Sequence, residues 1–139
     1  MRVELSDQAR QYIGRFDELT GVAPKDCLVE EDRLVFLVPA GEMAAAIGQA
    51  GETVEEAERR LGKSVDLVED ADTAESFVAS ALAPAAVNAV TVSEQNDTVA
   101  YVEVPEPDRG VAIGAEGRNI ETARTLAKRH YDIDDVQLT

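Results

Sequence analysis

The sequence predicts an α+β protein of two tandem units, residues 1–70 and 71–139, each a three-stranded sheet covered by helices on one face. Three observations predict it. The chain repeats itself: Ala46-Ile47-Gly48-Gln49-Ala50-Gly51 aligns with Ala112-Ile113-Gly114-Ala115-Glu116-Gly117 at an offset of 66, and the same offset pairs Val38-Pro39 with Val104-Pro105, Val54-Glu55 with Ile120-Glu121 and Ala57 with Ala123. An ungapped repeat of that extent marks a duplicated unit rather than a chance pair of glycines. Around each copy, segments with helical apolar spacing alternate with short apolar runs in one order. Finally, 139 residues at 45% hydrophobic content are globular, so each half sits near the lower size limit for a core that folds alone.

In the first unit, residues 6–19 read as an amphipathic helix with Ser6 or Asp7 as N-cap, Ala9, Ile13 and Phe16 on one face, and Gly21 as its stop. Residues 27–29 and 34–38 are short apolar runs on either side of Glu30-Glu31-Asp32-Arg33, the pattern of a hairpin. A short helix over 41–47 is interrupted by the glycine loop. A second helix, 53–61, sets Val54, Ala57 and Leu61 on one face and ends at Gly62; a strand over 64–68 closes the unit.

The second unit repeats the order: helix 73–82 with Pro84 just beyond it, strand 87–92, a tight turn at Asn96-Asp97, strand 98–104, short helix 108–113, the loop, helix 119–129 and strand 136–138. The joint Glu69-Asp70-Ala71-Asp72 has no Gly, Ser or Pro tract, so two packed units are expected rather than two that swing freely.

A glycine pair before a helix often cradles phosphate, because bare backbone comes close and the helix start offers unpaired N–H groups. The nucleotide-enzyme versions of that device are excluded. A Walker loop needs Gly-Lys-Ser/Thr, and Gly117 is followed by Arg118 and Asn119. A dinucleotide fingerprint needs glycine where Ala112 stands and a strand running straight into the loop, whereas the nearest strand ends at Pro105. No Ser/His/Asp or Cys/His set has the partners for nucleophilic catalysis. His130, the one histidine, has no second histidine or cysteine with which to share a metal and follows Lys128-Arg129 at a helix end, where a cation suits the dipole. No catalytic residue, cofactor or metal is therefore expected. Cys27 stands alone and reads as a small buried apolar residue in a reducing compartment. The first residues lack the apolar core of a signal peptide and no run is long enough to span a membrane, so a soluble, cytoplasmic protein is expected.

In both halves, a helix, two strands, a short helix, an Ile-Gly-x-x-Gly loop, a longer helix and a closing strand resemble a type II KH domain. More narrowly, Val104-Pro-Glu-Pro-Asp-Arg-Gly-Val-Ala-Ile-Gly114, Asn119-Ile-Glu-Thr-Ala-Arg-Thr-Leu-Ala-Lys-Arg-His130 and Asp132-Ile-Asp-Asp-Val136 are similar to the signature of the archaeal NusA-like transcription factors. The resemblance covers nearly the whole chain and is most specific in the second half. It implies two tandem type II KH domains that bind single-stranded RNA during transcription elongation, termination or antitermination, without catalysis, with RNA polymerase or other transcription proteins as further partners. In a KH domain the loop clamps the backbone of about four nucleotides and a groove beside it receives the bases. The residues this places at RNA are Ile47, Gly48, Gln49, Ala50 and Gly51 in the first unit, and Ile113, Gly114, Ala115, Glu116, Gly117, Arg118 and Asn119 in the second. Ile47 and Ile113 read equally well as groove surface or as core. Tyr101 and Tyr131 read either as core or rim residues or as base-stacking rings.

Charge divides the two loops. The formal net charge is −15, opposite to the usual footprint of a nucleic-acid binder. Yet all five basic side chains of residues 71–139, Arg109, Arg118, Arg124, Lys128 and Arg129, fall within 109–129, where Glu116 and Glu121 are the only acids. Arg109, Arg124 and Lys128 accordingly join the expected RNA-binding set. The first loop has no basic residue, and its following helix carries Glu52, Glu55, Glu56 and Glu58 before Arg59 and Arg60. The second loop is thus the expected main site. Asp and Glu total 28 while lysine occurs only at 25, 63 and 128, the surface chemistry of a salt-accumulating halophile. The alternative is that this acid faces a basic protein partner, such as a component of the transcription machinery.

Overall fold

A computed structural model describes residues 3–139; Met1 and Arg2, the start of the expected first unit and of the stretch read for a signal peptide, lie outside the described residues. Contacts gather residues 4–70 into one compact unit and residues 71–139 into another.

In the first unit, α1 (Asp7–Thr20) is capped by Ser6, whose hydroxyl accepts the Ala9 N–H at 3.1 Å, and stops where Gly21 turns left-handed at φ 78°. The chain continues through β1 (Asp26–Val29), β2 (Arg33–Val38), α2 (Met43–Ile47), a 3-10 turn (Gln49–Gly51), α3 (Glu52–Leu61) and β3 (Ser64–Glu69). β2 is central, antiparallel to β1 and parallel to β3. Its continuous apolar run is the reason: every residue from Leu34 to Val38 is buried. Leu34, Phe36 and Val38 form a core with Ala9 and Phe16 of α1 and Ala57 and Leu61 of α3. The Phe16 and Phe36 rings sit 4.4 Å apart, and burying each is worth roughly 1.5–3 kcal/mol. The helical face read from 54, 57 and 61 is thus the face that packs, with Val54 partly buried at its edge.

The second unit runs α4 (Ala74–Ala81), β4 (Ala89–Glu94), β5 (Thr98–Glu103), a 3-10 turn (Glu106–Asp108), α5 (Arg109–Ile113), a second 3-10 turn (Ala115–Gly117), α6 (Arg118–Tyr131) and β6 (Asp135–Leu138). The sheet again has its middle strand in the centre, β5, antiparallel to β4 and parallel to β6. α6 is 14 residues against 10 in α3, and its extra turn brings Tyr131 onto Phe77 with ring centroids 4.8 Å apart. The Tyr131 hydroxyl donates to the Ala71 carbonyl at 2.7 Å. Tyr131 is therefore a packing residue. Tyr101 on β5 is 38% exposed.

Most element ends lie one or two residues from the sequence reading, and two of the differences have a local cause. β4 begins at Ala89 rather than 87, because β5 ends at Glu103, whose carbonyl takes the Asn88 N–H at 2.8 Å, and Pro105 has no N–H to extend the ladder. The hairpin turn is a three-residue connection, Gln95 to Asp97, closed by the Glu94↔Thr98 pair. None of its residues has positive φ. The two-residue turn anticipated at Asn96-Asp97 requires left-handed backbone at both central positions, which a glycine there would have favoured.

Candidate nucleic-acid interface

The repeat is conformational as well as textual. Gly48 (φ 78°, ψ 172°) matches Gly114 (φ 81°, ψ 169°), Ala50 (φ 54°) matches Glu116 (φ 57°), and Gly51 (φ 76°) matches Gly117 (φ 75°). The two glycines of each loop nevertheless do different work. The first occupies a backbone region that is essentially glycine's own, and it lies against the next helix. A Cβ on Gly114 would stand 2.7 Å from Asn119 Cβ and 2.8 Å from Asn119 N, and one on Gly48 would stand 2.8 Å from Thr53 N. These glycines let the loop close onto its helix. The second glycine is different: a Cβ on Gly117 meets nothing within 4 Å, and one on Gly51 meets only Glu55 Oε1 at 3.9 Å. The space outside them is open, so a ligand backbone has room to lie there. Gly51 and Gly117 are also the N-caps of α3 and α6, and neither helix start is closed by a capping side chain.

Beside the second loop lies an open groove of about 410 Å³ lined by Arg109 and Ile113 of α5, Glu116 and Gly117 of the loop, Ile120, Glu121 and Arg124 of α6, and Leu138 of β6. Helical spacing explains the composition of its walls. Residues 109 and 113 are one turn apart on α5, and 120, 121 and 124 share one face of α6. Ile113, Ile120 and Leu138 supply apolar surface, and Arg109, Glu116, Glu121 and Arg124 supply charge. Ile113 is 40% exposed and its counterpart Ile47 is 38% exposed, so neither is a core residue.

Five residues singled out from sequence, Arg109, Ile113, Glu116, Gly117 and Arg124, thus line one groove, joined by Ile120, Glu121 and Leu138, which were not singled out. Ile120 and Glu121 had a signal in the sequence, since they lie one turn before Arg124 on the same helix. Leu138 had none, because its position depends on the pairing of β6 with β5 through Val102. The remaining residues fall elsewhere. The Asn119 amide points inward, donating to the carbonyls of Ala112 at 3.2 Å and Leu82 at 3.3 Å, and acts as a strut beneath the loop. Arg118 opens α6 next to Gly117, half-buried, while Gly114 and Ala115 form the turn behind it. Gln49 and Ala50 are exposed on the first loop, with Gly48 and Gly51 half-buried.

The basic side chains are engaged to different degrees. Arg109 Nη1 donates to the Thr139 carbonyl at 2.8 Å. Lys128 pairs with Asp134 at 2.5 Å, away from the groove lining. Hydrogen bonding to Asp134 raises the Lys128 pKa, and bonds from Lys128 and the Thr98 N–H lower that of Asp134. Arg124 Nε donates to the Val136 carbonyl at 3.1 Å and pairs with Asp135 at 3.0 Å, while its Nη1 pairs with Glu121. One repeat earlier, Met43 stands in the place of Arg109 and Glu58 in that of Arg124, so the first unit has the loop backbone without the cations. In that unit burial, reinforced by Asp26, pushes the Cys27 thiol up to about 12. Among the described residues no group of three His, Cys, Asp or Glu is placed to hold a metal ion, and no helix is long and apolar enough to cross a membrane.

Comparison with known proteins gives a consistent set of relatives. The family model of the NusA-like second KH domain matches residues 74–138. The chain is 60% identical over 139 residues to the "Probable transcription termination protein NusA" of Halobacterium salinarum, covering all of both chains. It is 33% identical over 138 residues to the protein of the same name from Methanocaldococcus jannaschii, covering 99% of this chain and 75% of that one. Among solved structures, the crystal structure of APE1850 superposes with a TM-score of 0.85 at 30% identity, covering 97% of this chain and all of that one.

Proposed function

The chain belongs to the NusA family, and from that premise we propose that it is a non-catalytic transcription termination or antitermination factor that binds single-stranded RNA through residues 71–139. In this reading the two units are tandem type II KH domains acting in the cytoplasm of a halophile. The observation that carries it is the open space outside Gly117 at the mouth of the groove. An RNA backbone passing over Gly117 meets the uncapped start of α6 and the Arg118 side chain, while its bases reach the surface of Ile113, Ile120 and Leu138. The net charge of −15 does not oppose this in the salt such a surface suits. At about 1 M salt the Debye length is ~3 Å, so remote acids are screened and close contacts decide.

The first unit presents the same loop backbone with Glu52 and Glu55 beside it and an exposed Ile47, and that combination favours a weaker RNA contact or a basic protein segment, such as one from the transcription machinery. Ultraviolet cross-linking in molar KCl, followed by sequencing of bound RNA and mapping of modified peptides, tests the proposal. Adducts concentrated within residues 109–124 are expected. Absence of RNA adducts, or adducts confined to the first unit, would overturn it.

A further inference from the structure

Arg124 is one of the cations expected at RNA from its charge, and it lines the groove from α6. Its surroundings assign it another task. The backbone of Val136, on the edge strand β6, turns both polar groups off the sheet: its N–H donates to Asp135 Oδ1 at 2.8 Å and its carbonyl accepts from Arg124 Nε at 3.1 Å. Asp135 Oδ1 in turn pairs with Arg124 Nε at 3.0 Å, which closes a ring of side chain and backbone between helix and strand. Nη1 of the same guanidinium holds Glu121, and the Arg124 side chain is only 33% exposed.

The first unit supplies an independent comparison. Leu34 pairs with Val65 as Ala100 pairs with Val136, so Val65 and Val136 occupy the same place on their closing strands. At the helix position matching Arg124 stands Glu58, and Glu58 Oε2 accepts the Val65 N–H at 2.8 Å. The two units therefore make the same helix-to-edge-strand tie with side chains of opposite charge: the carboxylate takes the outward N–H, the guanidinium the outward carbonyl. The tie to the edge strand is thus made at this position whichever charge it carries.

We infer that Arg124 is a positioning residue that fixes the separation of α6 from β6, and with it the width of the groove, rather than a phosphate ligand. The inference rests on the RNA-binding reading above for its functional consequence. With Arg124 in place, Leu138 of β6 and Ile120 of α6 are held as parts of one groove lining, and the attraction for the RNA backbone is left to the loop and the start of α6.

The test is titration of the full chain with single-stranded RNA at several KCl concentrations. Removing one phosphate-neutralising cation from a single-strand site lowers the log–log salt slope by about 0.7. Arg124→Gln and Arg124→Lys should both weaken binding about tenfold, the lower end of the loss when a side chain that orients metal ligands is removed, with the slope unchanged. Asp135→Ala should weaken binding as well, although it removes a negative charge from the groove's edge. A phosphate role predicts the reverse: Arg124→Lys near wild type, Arg124→Gln with a flattened slope, and Asp135→Ala binding more tightly. Any of these three results would overturn the inference. Arg118→Gln, which should flatten the slope, reports separately on whether RNA is bound at this loop. If the wild-type chain binds no RNA, the functional reading fails and amide hydrogen exchange still decides the tie. Faster exchange at Val136, and at Thr139, whose N–H donates to the Val102 carbonyl at 2.9 Å, would support it in Arg124→Lys, and unchanged exchange would overturn it.

Discussion

Replacing the two glycines of the second loop by alanine, one at a time, should separate folding from ligand access. In Gly114→Ala the new methyl stands 2.7 Å from Asn119 Cβ and 2.8 Å from Asn119 N, on a backbone at φ 81° and ψ 169°. Holding a non-glycine residue there costs roughly 1–3 kcal/mol, and the shift needed to relieve the overlap costs a similar ~1–3 kcal/mol. Since the neighbouring atoms include the backbone of α6, little of this is relieved by a side-chain rotation. Gly117→Ala also meets a positive φ, 75°, at a cost of about 1–2 kcal/mol. It meets no overlap, however, and in both variants about 0.4–1 kcal/mol of the cost is offset through restriction of the unfolded chain. Urea denaturation followed by circular dichroism at fixed molar KCl should therefore show a loss of roughly 1–5 kcal/mol for Gly114→Ala and about 1 kcal/mol for Gly117→Ala. RNA affinity, corrected for the folded fraction, should rank the other way, because the methyl at 117 fills space a backbone would occupy. Equal destabilisation by the two substitutions would refute the division of labour between the glycines.

Further outcomes follow from charge and burial. The Cys27 thiol, pushed up to about 12 by burial and by Asp26, should resist alkylation at pH 8 in the native protein and react once urea unfolds it. An unfolded thiol ionises near 8.5, so this residue's contribution to stability is fully present below that pH and is lost as pH rises towards about 12; a denaturation midpoint that climbs above pH 9 would contradict the assignment. RNA affinity should pass through a maximum as KCl is varied, because a chain at −15 loses structure when salt is removed while phosphate contacts weaken when it is added. A monotonic rise with salt would point to protein-directed or hydrophobic binding. Arg118→Ala should cost roughly 1–3 kcal/mol of RNA affinity by removing a charge-assisted hydrogen bond; an unchanged isotherm would remove Arg118 from the interface.

The parts of the fold that were legible in the sequence are those set by neighbours along the chain. Ser6, Gly21 and Gly62 end their helices by local capping, and the run from Leu34 to Val38 announces a buried strand by itself. The loops were legible for the same reason, as a repeated word before a helix. What was not legible depends on contacts distant in sequence. Asn119 looked like a loop residue facing RNA, but its amide is directed at Leu82, 37 residues away. Leu138 joins the groove only because β6 pairs in parallel with β5. The glycines of the pair look alike on the page, and what separates them is how closely each approaches the helix that follows. Arg124 shows the same limit for charge, since the cation could be read and its partners on β6 could not.

With the second loop as the principal RNA contact, titration of single-stranded RNA against Gly117→Asp and Gly51→Asp in parallel is the most direct test. Both substitutions put bulk and a negative charge into space that is open in the wild-type chain, so they differ mainly in what surrounds them. Arg109 and Arg118 flank the second loop, and Glu52 and Glu55 follow the first. Gly117→Asp should abolish most binding and Gly51→Asp should leave most of it. Stronger damage from Gly51→Asp, with Gly117→Asp binding like wild type, would contradict the assignment of the second loop as the main site.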